Sequence, residues 1–112
     1  MDISLRNEAG IGVISIVGEL DALTASELTT FFKIEVSDSF TSLVADLHGL
    51  SYSSSAGIRV FLGLARESRQ KGGDLRIAAV QPQVDKIFKL SKFDRIVKVF
   101  PTVDEAVESF SE

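Results

Sequence analysis

Leu43-Val-Ala-Asp-Leu47, followed shortly by Leu50-Ser-Tyr-Ser-Ser-Ser-Ala-Gly-Ile58, decides how this chain is read. The first run is short and almost wholly apolar, the pattern of a central strand buried on both faces. A short loop follows, and three consecutive hydroxyls, Ser53, Ser54 and Ser55, then stand where the next helix begins. Behind them Ile58, Phe61, Leu62 and Ala65 recur at helical spacing, while Arg66, Arg69 and Lys71 gather near the far end, where the helix dipole favours cations. Gly72-Gly73 stops that helix. A helix start exposes unpaired N–H groups and the positive end of the macrodipole, so it suits a capping hydroxyl and equally an attached phosphate. The serine cluster, with a small-residue pair behind it, points to a surface that covalent modification can switch.

Working outward, Ile3 and Leu5 alternate, Asn7 to Gly10 reads as a turn, and Ile11 to Val17 as a second strand, so the chain opens on a β-hairpin that Gly18 ends. Thr24-Ala-Ser-Glu27 has the capping-box pattern, with Leu23 and Leu28 at the hydrophobic-staple positions. The helix it starts carries Leu28, Phe31 and Phe32 on one face and fades near Ser37-Asp-Ser39. Leu75 to Val80 is another strand. Pro82 opens a helix carrying Val84, Ile87 and Phe88. Ile96 to Phe100 gives a last strand, and Thr102-Val-Asp-Glu105 is a second capping box before a final helix with Val103, Ala106, Val107 and Phe110 inward. The order ββαβαβαβα predicts a single α/β domain over residues 1–112, a mixed, largely parallel sheet flanked by about four helices.

With 112 residues the chain is long enough for one core, and 45% hydrophobic with 25% charged residues excludes disorder. A net charge of -4 argues against a nucleic-acid partner, since phosphate backbones call for a basic surface. The absence of cysteine removes disulfides and thiolate chemistry and fits a reducing interior. Met1-Asp-Ile-Ser-Leu-Arg6 lacks the basic and apolar regions of a secretory signal, and no apolar run is long enough to cross a bilayer. A cytoplasmic protein with no direct membrane insertion is the expectation.

Enzyme chemistry finds little support in the residues. His48 is the sole histidine, and Asp46, the nearest carboxylate, sits in a strand position expected to point it elsewhere. A nucleophilic serine needs an oriented base and oxyanion donors, and there is no nucleophile elbow. Glycine-rich nucleotide motifs and metal-ligand spacings are also missing, so no cofactor or metal is expected. Phe31, Phe32, Phe61, Phe88 and Phe110 fall at core spacing and read as packing.

Taken together, the pieces resemble a STAS domain, specifically a stand-alone anti-sigma factor antagonist, over essentially the full length. Gly18-Glu-Leu-Asp21 with Thr24-Ala-Ser-Glu-Leu28 resembles the family's G-x-L-D segment and first helix; Asp46-Leu-His-Gly-Leu-Ser-Tyr52 resembles its D-L-x-x-V-x-Y/F strand and loop. Ser54-Ser-Ala-Gly-Ile58 resembles the D-S-A/S-G-L signature, and Lys71-Gly-Gly73 the glycine stop. The resemblance implies a non-enzymatic binding module whose phosphoacceptor is Ser55, with Ser54 the fallback. It implies a serine kinase that is also the anti-sigma factor as partner, and a serine phosphatase that resets the switch. The implied contact surface comprises Asp21, Ser53, Ser54, Ser55, Gly57 and Arg59. Two positions depart from the pattern: Ser54 replaces the signature acid, and Arg59 stands where a small residue is usual. Several roles stay open on the residues alone. Ser53 and Ser54 read as loop or cap hydroxyls, Asp21 as a surface or a turn residue, and Arg59 as a solvated residue or a phosphate partner one turn from Ser55. The alternative function is a subunit that regulates a membrane lipid-transport complex by protein–protein contact.

Overall fold

Alternate residues of the central strands bury themselves on opposite faces, which is what a sheet covered on both sides requires. In the computed structural model, which describes residues 1–111, β2 (Ile11–Leu20) sends Ile14 and Ile16 into the larger core and Ile11 and Val13 into a smaller one behind it. β3 (Ser42–Asp46) splits in the same way, with Leu43 and Ala45 to one side and Val44 to the other, and β5 (Asp74–Ala78) divides Leu75 and Ile77 from Ala78. β1 (Asp2–Glu8) pairs antiparallel with β2 as a hairpin; β2–β3, β3–β5 and β5–β6 (Val99–Phe100) are parallel, giving the sheet order β1-β2-β3-β5-β6. Parallel neighbours need crossover helices, and α1 (Ala22–Phe31), α2 (Ser55–Gln70) and α3 (Pro82–Leu90) cover the larger core, while α4 (Val103–Glu108) closes the other face through Ala106 and Val103.

The expected α/β order holds, with one strand added. β4 (Leu50–Ser53) pairs parallel with the last residues of β2, in a register that shifts between Gly18 and Glu19. The expectation that Gly18 ends the hairpin strand is thereby corrected: its φ of +120° bends β2, which continues to Leu20 and changes partner from β3 to β4. The first capping box also moves. Asp21 caps α1, accepting from the Thr24 N–H while the Thr24 hydroxyl accepts from the Asp21 N–H, so the helix begins three residues earlier than the Thr24 reading places it. Leu23, expected as a staple, is 74% exposed. The expected last strand, Ile96 to Phe100, shrinks to Val99–Phe100 behind a 3-10 turn at Phe93–Arg95.

Beyond Phe31 the helix loosens into a π-type stretch, Phe32–Val36, that keeps Phe32 and Val36 buried. At the other end of the helical layer Phe61, Phe88 and Phe93 lock α2, α3 and the 3-10 turn together, with ring centroids 6.3, 6.1 and 4.6 Å apart. Tilted and edge-on aromatic contacts at these separations add to the gain from burial. The opposite face is closed in part by Arg76, whose guanidinium lies 4.0 Å from the centroid of the Phe110 ring.

Candidate functional site at the head of the second helix

The end of β2 and the start of α2 are tied directly to each other. The Ser54 N–H donates to the Leu20 carbonyl at 2.8 Å, so the Asp21 turn and the serine loop sit side by side at one end of the sheet. Extended backbone at Ser54 makes it the N-cap of α2, and its hydroxyl accepts from the Gly57 N–H at 3.4 Å. Ser55 is therefore the first helical residue. Its hydroxyl is exposed and makes no hydrogen bond among the described residues. The Ser55 and Ala56 N–H groups have no partner there either, as expected for a first turn.

The three serines thus differ in kind. Ser53, expected as a contact residue, is 1% exposed and donates to the Ser54 carbonyl at 3.2 Å, so its hydroxyl is folded inward. Ser54 is half-buried and occupied as a cap, and Ser55 alone presents a free hydroxyl. Gly57, also expected at the contact surface, is enclosed too. It is buried, and a Cβ built on it would lie 2.6 Å from both Leu20 Cδ2 and Ser53 Oγ. The missing side chain lets α2 close onto the end of β2, which is an internal packing need rather than room for a partner.

Arg59 lies one turn beyond Ser55 on the exposed side of α2, without an ion pair or hydrogen bond among the described residues. It lines a groove of about 630 Å³ between α1 and α2, together with Ala22, Ala25, Ala56 and Gly63. Small side chains on both helices leave this furrow open, and it leads from the Ser55 turn toward Lys33 and Glu67. Sequence reading missed the α1 half of the groove; the signal that marks it is the small residues at Ala22 and Ala25, facing Ala56. Asp21 is exposed, and its carboxyl is held below the usual carboxylate range chiefly by the hydrogen bond from the Thr24 backbone, then by the Thr24 hydroxyl. Its geometry is that of a cap beside the serine loop.

Asp46 does not point away from His48. Its carboxylate, 6% exposed, accepts from the His48 backbone N–H at 3.2 Å and lies 3.1 Å from Nδ1. The His48 ring is exposed, with Nδ1 the nitrogen that faces the carboxylate. Ser15 donates to the other Asp46 oxygen at 3.4 Å, which makes the pair part of a network joining β2, β3 and the 47–49 turn. Among the described residues no hydroxyl bonds to the ring, and no group of side chains is arranged to hold a metal.

A family model described as the STAS domain matches residues 2–106. The chain is 29% identical over 110 residues to a putative anti-sigma factor antagonist, BtrV, of Bordetella bronchiseptica, covering 98% of this chain and 95% of the relative. The fold is similar to that of an anti-sigma factor antagonist from Mycobacterium paratuberculosis, with a TM-score of 0.89 at 24% identity over 99% of this chain and 94% of that one. It is also similar to SpoIIAA in its unphosphorylated form, with a TM-score of 0.80 at 22% identity, covering 98% of this chain and 96% of that one. The phosphorylated form of SpoIIAA, from Bacillus, aligns with a TM-score of 0.71 at 22% identity over 97% and 99% of the two chains. The match over nearly the whole chain, on a sheet and helix order that fits it, places this protein in the STAS domain family.

Proposed function

We propose that this protein is an anti-sigma factor antagonist, a binding module that captures an anti-sigma factor with serine kinase activity and is switched off by phosphorylation of Ser55. The observation that carries the reading is the free, exposed Ser55 hydroxyl at the first position of α2, on a chain whose full-length relatives are named anti-sigma factor antagonists. SpoIIAA, whose fold is similar, has been solved with and without its phosphate. The docking surface comprises the Asp21 turn, Ser54, Ser55, Arg59 and the α1–α2 groove.

The chemistry of the switch follows from the helix end. A phosphoserine adds about -1.5 to -2 charges, here at the positive end of α2. The free N–H groups of Ser55 and Ala56, with the unpaired Arg59 guanidinium one turn on, satisfy that charge locally and leave the fold unchanged. Ser54, standing where the family signature has an acid, is an uncharged cap and sets no like charge beside the phosphate. A partner packed onto the turn cannot accommodate the modification so easily, because the phosphate must be desolvated against whatever faces it. Phosphorylated protein therefore releases the anti-sigma factor until a serine phosphatase resets it. This work belongs in the cytoplasm.

Calorimetry against the cognate anti-sigma factor with ADP, which has no γ-phosphate to transfer, tests the proposal. Wild type and Ser55→Ala should bind alike, and Ser55→Asp should bind weakly. Binding to a transport permease or its ATPase with none to the anti-sigma factor would instead establish the transporter-subunit reading.

A further inference from the structure

One apolar concavity beside α1 and two exposed apolar side chains on the segment that follows α3 are left uncovered, and the charges around them are opposite. On the β1 side of α1, Met1, Ile3, Leu23, Phe31 and Ile34 line a concavity of about 580 Å³. Leu23 and Ile34 are 74% and 72% exposed, far more than a helix packed on a sheet normally leaves of two large side chains. The charged residues in its lining are Glu27 and Glu35, neither of them ion-paired among the described residues, whereas Lys33 faces the groove on the other side of α1. The second patch lies past α2, which separates α1 from Ile96. On the segment that ends α3 and runs on toward β6, Leu90 is 76% exposed, and Ile96, beside the C-terminal half of α2, is 52% exposed.

The segment around this second patch is the basic part of the molecule. Across residues 85–98 Lys86, Lys89, Lys92, Arg95 and Lys98 stand against Asp85 and Asp94, a net +3 within a chain of net -4, so the remainder carries -7. Lys89 is paired with Asp85 at 2.6 Å, while Lys86, Lys92, Arg95 and Lys98 have no ion pair among the described residues. Four of the six exposed large hydrophobic residues fall in these two patches. One patch is concave with an acidic lining, and the other carries two apolar side chains on a basic turn.

We propose that the β1-side concavity receives a second copy of this chain. Leu90 and Ile96 of one copy seat against Leu23 and Ile34 of the next, with Lys92 and Arg95 facing Glu27 and Glu35. The two surfaces differ, so the contact is heterologous: each copy keeps one free patch of each kind, and assembly proceeds head to tail unless a rotation closes it into a ring. Neither patch includes Ser53, Ser54 or Ser55, although Ser26 and Thr30 line both the concavity and the α1–α2 groove, so a second copy seated there borders the surface proposed for the anti-sigma factor. Opposite charges at the rim set register and speed encounter, and they make the assembly salt-sensitive.

Sedimentation velocity on the full chain, from about 10 μM to about 1 mM, tests this in low salt and at physiological ionic strength. Wild type should show species larger than the monomer that grow with concentration and shrink as salt rises. Leu23→Ser/Ile34→Ser and Leu90→Ser/Ile96→Ser alter only exposed side chains, so both should fold normally by circular dichroism and each should run as a monomer alone. Mixed in equal amounts, they should form a capped complex of one copy each and nothing longer, because one intact concavity and one intact basic patch remain. A wild type that stays monomeric throughout overturns the proposal. So does association that survives either double substitution, and so does binding of the basic patch to anionic phospholipid vesicles without self-association.

Discussion

Gly57→Ala is the sharpest probe of how α2 meets the sheet. On helix propensity alone the change is favourable by about 1 kcal/mol, since alanine is the better helix former. The structure reverses that sign. The added Cβ would meet Leu20 Cδ2 and Ser53 Oγ at 2.6 Å and Leu20 Cγ at 2.8 Å, where carbon atoms pack best about 3.5–4.0 Å apart. Leu20 is fully buried, so it cannot swing aside without moving its neighbours. Overpacking a filled core costs about 1–3 kcal/mol, and contacts this short belong at the upper end. Set against the propensity gain, the variant should lose about 2 kcal/mol, or about 8 °C in Tm for a domain of this size. Urea unfolding with a double-mutant cycle is the assay. Leu20→Ala removes two of the three obstructing atoms, leaving Ser53 Oγ, at a cost of about 2–5 kcal/mol by itself, and the double variant should lose less than the sum of the two singles. Gly57→Ala as stable as wild type, or a strictly additive cycle, would refute the packing account and return Gly57 to the partner surface.

Two further outcomes follow from the same geometry. Phe93→Ala removes a ring that touches both Phe61 and Phe88 and should cost about 3–5 kcal/mol in chemical denaturation, with no retained cooperativity between α3 and the rest if the cluster is what docks it. The Asp21 carboxyl is held below its ordinary value of 3.8 in the folded state, so its stabilising effect is full above that value and is lost as pH falls through the folded value. Asp21→Asn should therefore flatten the acid limb of the stability–pH curve below about pH 4, a difference that urea titrations at several pH values will read.

The fold was legible in the chain because its central strands are buried on both faces and α2 and α3 carry clear apolar stripes. Leu43 to Leu47 and the Ile58–Ala65 face needed no tertiary information. β4 was hidden because Leu50-Ser-Tyr-Ser53 has its two exposed residues adjacent, which breaks the alternation by which a half-buried strand is recognised. The first helix start was misplaced because Asp21 and Thr24 are both good caps, and only the backbone decides which is used. At the site, the serine cluster and the Ser55 position were visible as pattern and spacing. What the residues could not give was direction: Ser53 inward, Ser54 spent on the cap, Ser55 outward, and Gly57 facing Leu20 rather than solvent. The Asp46–His48 contact was likewise out of reach, since it depends on how the 47–49 turn folds back on the strand end.

Phosphate mapping by mass spectrometry tests the central claim most directly. Wild type, Ser54→Ala and Ser55→Ala are each incubated with the cognate kinase and ATP and then digested and sequenced. Wild type and Ser54→Ala should each carry a single phosphate on Ser55, with Ser54→Ala slightly less stable for want of its cap, and Ser55→Ala should carry none. A phosphate that persists in Ser55→Ala, or its absence from wild type, would contradict the switch.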